Sequence, residues 1–146
     1  TTLRTCYYHR RLFAQLAKEL IKQGDHVRAR KVLTYAEQAV PAYNVPEIYE
    51  SGSFDIATAY AALGEKTKAV TLFNHLIAES EDYINWAFSL GNGRTGMMQN
   101  DCLYKFWQWN AYNERMKEID KESYEASNRR FEEKYALFTQ IINNRN

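Results

Sequence analysis

Cysteine and proline are scarce in this chain, which has two residues of each type and six glycines in 146 residues. So few cysteines exclude a small scaffold held together by disulfides. So little glycine and proline argues against intrinsic disorder and against many tight turns. The sequence also lacks any apolar run approaching the roughly 20 residues needed to cross a bilayer. These absences leave a globular fold built from long regular elements.

Residues that carry chemistry are equally sparse. His9, His26 and His75 have no spacing to one another, or to a cysteine, that would ligate a metal on one helix face. No serine, histidine and acid form a recognisable catalytic arrangement. Cys6 and Cys102 are far apart in sequence, and we interpret each as a buried free thiol. We therefore predict no metal, no cofactor and no catalytic centre in this chain.

One glycine-rich segment has the letters of a nucleotide-binding motif. Residues 91–96 match G-x-G-x-x-G. That motif binds a dinucleotide only where a strand precedes it and a helix follows. The residues before it show helical periodicity, and no part of the chain shows sustained strict alternation. We interpret residues 91–97 as a mobile linker between two helices.

What the chain does contain is a pattern that occurs twice, forty residues apart. In each copy an apolar residue and an alanine are followed at fixed intervals by a large apolar residue, a glycine, an alanine and another large apolar residue. A repeat of this length is typical of stacked helical units that bury their apolar faces against one another. The two copies are Leu16, Ala17, Leu20, Gly24, Ala29, Leu33 and Ile56, Ala57, Tyr60, Gly64, Ala69, Phe73.

The small residues of this pattern give it a physical meaning. Alanine allows two helix axes to approach closely, where a larger side chain would hold them apart. Glycine ends a helix readily, because it adopts the left-handed conformation without a steric clash. The predicted repeat-packing residues are Ala17, Gly24, Ala29, Ala57, Gly64 and Ala69.

Apolar periodicity predicts an all-α fold of about six helices. We expect a single domain over residues 1–146, made of antiparallel hairpins. The fourth predicted helix is long enough that it could break near Ser80. The predicted helices cover about 5–23, 26–39, 48–63, 66–90, 98–119 and 121–143. The predicted parts are a first repeat (1–41), an insertion (42–51), a second repeat (52–90), the glycine-rich linker (91–97) and a degenerate terminal hairpin (98–146).

The first copy, from Phe13 to Pro41, resembles the tetratricopeptide repeat. The second copy matches less completely, because Ser53 and Glu81 stand where that family has an aromatic residue and a proline. The family's period is 34 residues, so about six extra residues are assigned to the insertion. The resemblance implies a short right-handed α-solenoid whose first helices line a concave groove.

The same resemblance assigns residues to that groove by position. A floor containing Lys18 and Lys22 would suit an acidic or carboxylate-ended peptide. The alternative is that two units and an insertion leave the groove too shallow to bind anything. The groove residues are Arg11, Ala14, Lys18, Ile21 and Lys22 from the first copy and Phe54, Thr58, Ala61 and Ala62 from the second.

Charge is unevenly distributed along the chain. Residues 1–36 hold eight lysines and arginines against two acidic residues, although the net charge is only +1. Such a basic segment could meet an anionic surface, but we favour the simpler interpretation that these are solvated helix faces. A pI of about 7.7 argues against a nucleic-acid partner.

The fifth predicted helix is rich in aromatic residues. Phe106 and Trp109 fit its core stripe, whereas Tyr104 and Trp107 share another face. Either that face packs inward, or it exposes an aromatic patch suited to contact with protein or sugar. We favour inward packing, because aromatic stripes at helical spacing usually belong to a core.

A narrower resemblance concerns residues 3–90. From Leu3, Arg4 and Thr5 through the repeat positions to Leu90, the chain is similar to the soluble C-terminal region of a multi-pass membrane protein family of Bacteroidota, related to protein O-mannosyltransferase-like glycosyltransferases. The resemblance implies a fragment of a longer protein, a non-catalytic interaction or substrate-presenting tail on the periplasmic side. Alternatives are a structural cap or homo-oligomerisation domain and, least supported, a free enzyme.

Overall fold

The computed structural model describes residues 2–144. Over these residues the chain forms seven α-helices and no strand, which confirms the all-α prediction. A short 3-10 turn, Tyr49–Ser51, precedes the third helix. The helices are α1 (Thr2–Lys22), α2 (His26–Ala39), α3 (Ser53–Ala62), α4 (Lys66–Ser89), α5 (Asn92–Met97), α6 (Gln99–Ile119) and α7 (Lys121–Asn143).

Packing divides the chain into two compact units after residue 76, where the sequence predicted one domain. The division falls within α4, which has different neighbours along its length. In the first unit Phe73 of α4 meets Phe54 of α3, with ring centroids 6.0 Å apart. In the second unit Glu79 of α4 forms a 2.7 Å salt bridge with Lys105 of α6. The helix has no break near residue 80.

Equivalent turns close the two hairpins of the first unit. Gly24 has φ +79°, its N–H donates to the Ile21 carbonyl, and the Asp25 N–H donates to the Leu20 carbonyl. The same two hydrogen bonds recur around Gly64, which has φ +77°. Together they satisfy helix-end carbonyls in the Schellman arrangement, which needs a residue in the left-handed region.

Alanines contribute to the inward face of each helix in the first unit. On α1 the buried face consists of Arg10, Ala14 and Ala17, so this helix is rotated relative to the prediction. Leu16, which was predicted to face inward, is 49% exposed, and Ala14, which was assigned to the groove, is fully buried. The methyl groups of Ala14 and Ala17 let α1 lie close to its neighbours, where a leucine would not fit. The fully buried repeat alanines are Ala17, Ala29, Ala57 and Ala69.

Gly52, the first residue after the insertion, is in direct contact with α1. It has φ +86° and lies between the 3-10 turn and α3. A Cβ atom at this position would lie 2.8 Å from Cγ of Arg11 and 3.2 Å from its backbone nitrogen. Both the backbone angle and the close approach therefore require glycine here.

The second unit is built on the antiparallel pair α6 and α7. Phe106 and Trp109, which the sequence assigned to the core stripe of this helix, are buried together with Cys102 and Met116, whereas Ile119, predicted on the same stripe, is half-buried. Rings of the two helices meet edge to face, as between Phe106 and Phe131, where the centroids are 5.6 Å apart and the planes lie at 89°. Edge-to-face packing is a favourable geometry for aromatic pairs.

The segment predicted to be a mobile linker is mostly helical. Residues 92–97 form α5, and its Thr95 is fully buried. The Thr95 hydroxyl donates to the carbonyl of Ala87, at 2.7 Å, and lies 3.0 Å from the carbonyl of Gly91. The bond to Ala87 attaches the short helix to the end of α4. The glycine content of the segment did not predict this attachment.

We expect Gly52→Ala to destabilise the protein more than Gly24→Ala. Both glycines have positive φ, so each alanine costs about 1 kcal/mol in backbone conformation. Only at Gly52 would the new methyl group also collide with another helix, which adds roughly 1–3 kcal/mol. Urea unfolding followed by far-UV circular dichroism measures the difference. Equal losses for the two variants would contradict the contact between the insertion and α1.

Candidate functional site

The predicted groove residues lie along α1 and α3, which are neighbours in the first unit. A salt bridge joins the two helices, with Nζ of Lys18 2.7 Å from Oδ1 of Asp55. Ala14 is buried and cannot face a ligand. The exposed members of the set are Arg11, Lys22 and Ala62, and the half-buried members are Lys18, Ile21, Phe54, Thr58 and Ala61.

Basic side chains of the groove are engaged within the chain. Lys18 pairs with Asp55, and Nζ of Lys22 lies 2.7 Å from the carboxylate of Glu19. The Arg11 guanidinium donates to a backbone carbonyl of the 3-10 turn. An incoming carboxylate would have to compete with these partners, so the groove is less strongly cationic than its lysine content indicates.

A depression of about 290 Å³ lies among groove residues and the 3-10 turn. Its walls are Arg11, Tyr49, Phe54 and Asp55. The rings of Tyr49 and Phe54 are 5.6 Å apart, so one wall is aromatic and the others are charged. This combination can hold an amphipathic side chain of a peptide.

Arg10 is the main polar group inside the first unit, and the sequence did not single it out. Its side chain is only 5% exposed. Nη1 donates to the Pro46 carbonyl at 2.9 Å and to the hydroxyls of Ser51 and Ser53 at 2.7 and 3.2 Å. Nη2 donates to the carbonyls of Val40 and Val45 at 3.0 and 2.9 Å. One guanidinium thus holds both ends of the insertion.

Burial lowers the pKa of Arg10, and the negative charge of Glu47 acts in the opposite direction. Arginine nevertheless stays protonated in proteins at neutral pH. The sequence did carry a signal for this role, because Arg10 lies four residues before Ala14 and seven before Ala17, on the face that those alanines bury.

Beside Arg10 is a cavity of about 230 Å³. Most of its walls are apolar, but two carboxylates, those of Glu37 and Glu47, also line it. The buried hydroxyl of Tyr60 donates to Glu37, and Nδ1 of His75 lies 2.6 Å from Oε2 of Glu47. The apolar lining residues are Ala36, Val40, Ala42, Ile56 and Leu72.

In the second unit, Tyr104 and Trp107 remain partly exposed. Their side chains are 44% and 54% exposed, and their rings stack at 12° with centroids 5.9 Å apart. The inward packing that we favoured for Tyr104 and Trp107 is therefore wrong, whereas Phe106 and Trp109, which fit the core stripe, are buried.

A buried polar network lies between α6 and α7. Nε1 of Trp109 donates to the Ser127 hydroxyl at 2.8 Å, and that hydroxyl donates to Oδ1 of Asn113 at 2.6 Å. All three side chains are buried. The network satisfies Nε1 of Trp109, the Ser127 hydroxyl and Oδ1 of Asn113, and it leaves Nδ2 of Asn113 without a partner among the described residues.

The described residues offer little support for a metal site or for a reactive thiol. Among residues 2–144, no three His, Cys, Asp or Glu side chains are grouped so that they could hold a metal ion. Both cysteines are free thiols, Cys6 half-buried and Cys102 buried. Burial raises the pKa of Cys102, which disfavours the thiolate that a nucleophile needs.

Comparison with known proteins gives no match to a family model, a curated protein or a solved structure at the significance required. Within the described part of the chain, none of the helices combines the length and apolar character needed to span a membrane.

Replacing Arg10 should loosen the insertion. Arg10→Met removes all five hydrogen bonds, and we expect a loss of about 3–5 kcal/mol in the free energy of unfolding. Amide hydrogen exchange should rise across residues 40–53. Arg4→Met, an exposed arginine of the same helix, is the control and should change stability by less than about 0.5 kcal/mol. Similar behaviour of the two variants would contradict the role given to Arg10.

The Tyr60 hydroxyl should make stability depend on alkaline pH. Burial and the hydrogen bond to Glu37 raise the pKa of Tyr60, so the folded state keeps a proton that the unfolded chain loses near pH 10. Stability should therefore fall as the pH rises above about 10. Tyr60→Phe lacks this effect, so its stability should fall by about 1 kcal/mol less than the wild type between pH 9 and 11. Urea titrations measure the stability of both proteins at each pH. An equal loss of stability in the two proteins would contradict the role given to the Tyr60 hydroxyl.

Proposed function

We propose that the first unit is a pair of tetratricopeptide-like hairpins that serves as a non-catalytic protein-interaction or scaffold module. The observation that carries the proposal is the equivalence of the two repeats. Both have the same glycine turn and the same fully buried alanines, and their first helices, α1 and α3, are joined by the Lys18–Asp55 pair. Neighbouring first helices with outward polar residues suit the recognition of a peptide segment.

The partner proposed for this groove is a peptide with acidic residues. Three basic side chains, Arg11, Lys18 and Lys22, face two acidic ones, Glu19 and Asp55, so these five groups leave one positive charge in excess. Lys22 is the most accessible of the salt-bridged lysines here, with 71% of its side chain exposed. Exposed charges of this kind orient an incoming peptide and speed its encounter with the protein more than they raise its affinity.

We further propose that the module is the C-terminal tail of a larger glycosyltransferase-like membrane protein, on the periplasmic side of the membrane. The support is the resemblance over residues 3–90. Under this proposal the chain positions partners or substrates and another part of the protein performs the chemistry.

A second candidate function is homo-oligomerisation. Tyr8, Leu12 and Leu16 follow one another at four-residue spacing on the outer face of α1 and are 60%, 41% and 49% exposed. An apolar stripe of this kind can pair with the same stripe of a second copy about a twofold axis. Sedimentation equilibrium of the wild type and of Leu12→Lys distinguishes a dimer from a monomer.

The groove can be tested with a panel of twelve-residue peptides rich in Asp and Glu, each matched by a peptide with Asn and Gln in their place. Acidic peptides should shift the backbone amide resonances of α1 and α3. Lys22→Glu should weaken this binding about threefold. Lys31→Glu makes the same charge change on an exposed residue of α2 and should have a smaller effect.

Two results would refute the groove proposal. Shifts confined to residues outside α1 and α3 would place binding elsewhere. Equal affinity for the acidic peptides and the matched amide peptides would show that the groove does not recognise the charge of the peptide.

A further inference from the structure

The cavity beside Arg10 has the composition of a binding site for a small amphipathic group. Its volume of about 230 Å³ is far above the roughly 10–15 Å³ that a single water molecule requires, which leaves room for an alkyl chain of a few carbons. Its walls come from α1, α2, α3, α4 and the insertion, so five parts of the first unit shape it. None of the lining residues belongs to the predicted groove.

The charges at this cavity favour a cation. Glu37 and Glu47 both line it, and neither forms a salt bridge with a lysine or arginine in the described part of the chain. The partners of these carboxylates are a tyrosine hydroxyl and the ring of His75. The charged side chains that line the cavity are Glu37, Glu47 and Arg10, so the lining carries two negative charges and one positive charge.

Arg10 is not available to bind an anion. Its two terminal nitrogens carry four hydrogens, and the structure gives them five acceptors within the chain. An added carboxylate or phosphate would have to displace these acceptors and would meet Glu37 and Glu47. A positively charged ligand needs no such exchange.

We propose that this cavity binds an alkylammonium group, with its aliphatic stem against Val40, Ile56 and Leu72 and its charge at the carboxylates of Glu37 and Glu47. The same chemistry is carried by a lysine side chain of a partner and by a free aliphatic amine. This site is distinct from the groove between α1 and α3, so either proposal can fail without the other.

The test uses the whole chain and four small probes. Hexylammonium should bind and shift amide resonances of residues 36–56, whereas hexanol and hexanoate, which also have six carbons, should bind at least tenfold more weakly. A charge-assisted hydrogen bond contributes about 1.5–3 kcal/mol, which corresponds to tenfold or more in affinity. The fourth probe, Nα-acetyl-lysine methylamide, distinguishes a peptide lysine from a free amine by its affinity relative to hexylammonium.

Three variants of cavity residues, with a fourth variant as the control, test whether the amine binds in the cavity. Glu37→Gln and Glu47→Gln should each weaken hexylammonium binding about tenfold, whereas Glu118→Gln, at an exposed position of α6 in the second unit, should leave it unchanged. Ala42→Leu fills part of the cavity without changing charge and should also weaken binding. It keeps the test decisive if a glutamate variant does not fold.

Several outcomes would overturn the proposal. These are equal binding of hexylammonium and hexanol, stronger binding of hexanoate, no binding of either amine, and unchanged affinity in both the Glu47→Gln and Ala42→Leu proteins. Loss of amine binding in these variants with intact binding of acidic peptides would show that the two sites are independent.

Discussion

The fold of the first unit depends on one buried guanidinium. The insertion between the two hairpins has few regular hydrogen bonds of its own, and its carbonyls at Val40, Val45 and Pro46 need donors inside the protein. Arg10 supplies them from the middle of α1, and it also binds the hydroxyls of Ser51 and Ser53 just before α3. An unsatisfied buried carbonyl is costly, so this single side chain determines the path of about ten residues.

The same interaction explains why the insertion does not disrupt the repeat. Gly52 follows the insertion, and its backbone lies close to Arg11 of α1. Arg11 is the neighbour of Arg10, whose side chain holds the rest of the loop. Arg10 attaches the loop to α1, and Gly52 lies against the same helix. Together these two contacts keep the start of α3 beside α1. The cavity with its two carboxylates is a product of this arrangement, since the insertion contributes one of its walls.

Features governed by local sequence could be predicted, and features that depend on tertiary partners could not. The ends of the helices near Gly24 and Gly64 and the burial of Ala17 and Ala69 follow from spacing and side-chain size alone. The spacing of Arg10 from Ala14 and Ala17 puts it on their helix face, but this spacing alone does not predict its role, because a charged residue in a basic helix has the pattern of a solvated one. Its five acceptors lie 30 to 43 residues further along the chain.

The candidate site shows the same limit. Sequence placed Lys18 and Lys22 on one helix, but only the structure shows that Asp55 and Glu19 neutralise much of their charge. Likewise, the orientation of α1 depends on whether Ala14 or Leu16 faces the next helix, and both choices are apolar. Glycine content at residues 91–96 suggested mobility, whereas a buried threonine hydroxyl stabilises a helix there.

All three tryptophans, Trp86, Trp107 and Trp109, lie after residue 76. Trp109 is fully buried and hydrogen-bonded, whereas the other two are about half exposed. Intrinsic tryptophan fluorescence therefore reports on the second unit alone, with one shielded and two quenchable emitters. A first unit that had lost its fold could leave that emission spectrum unaltered.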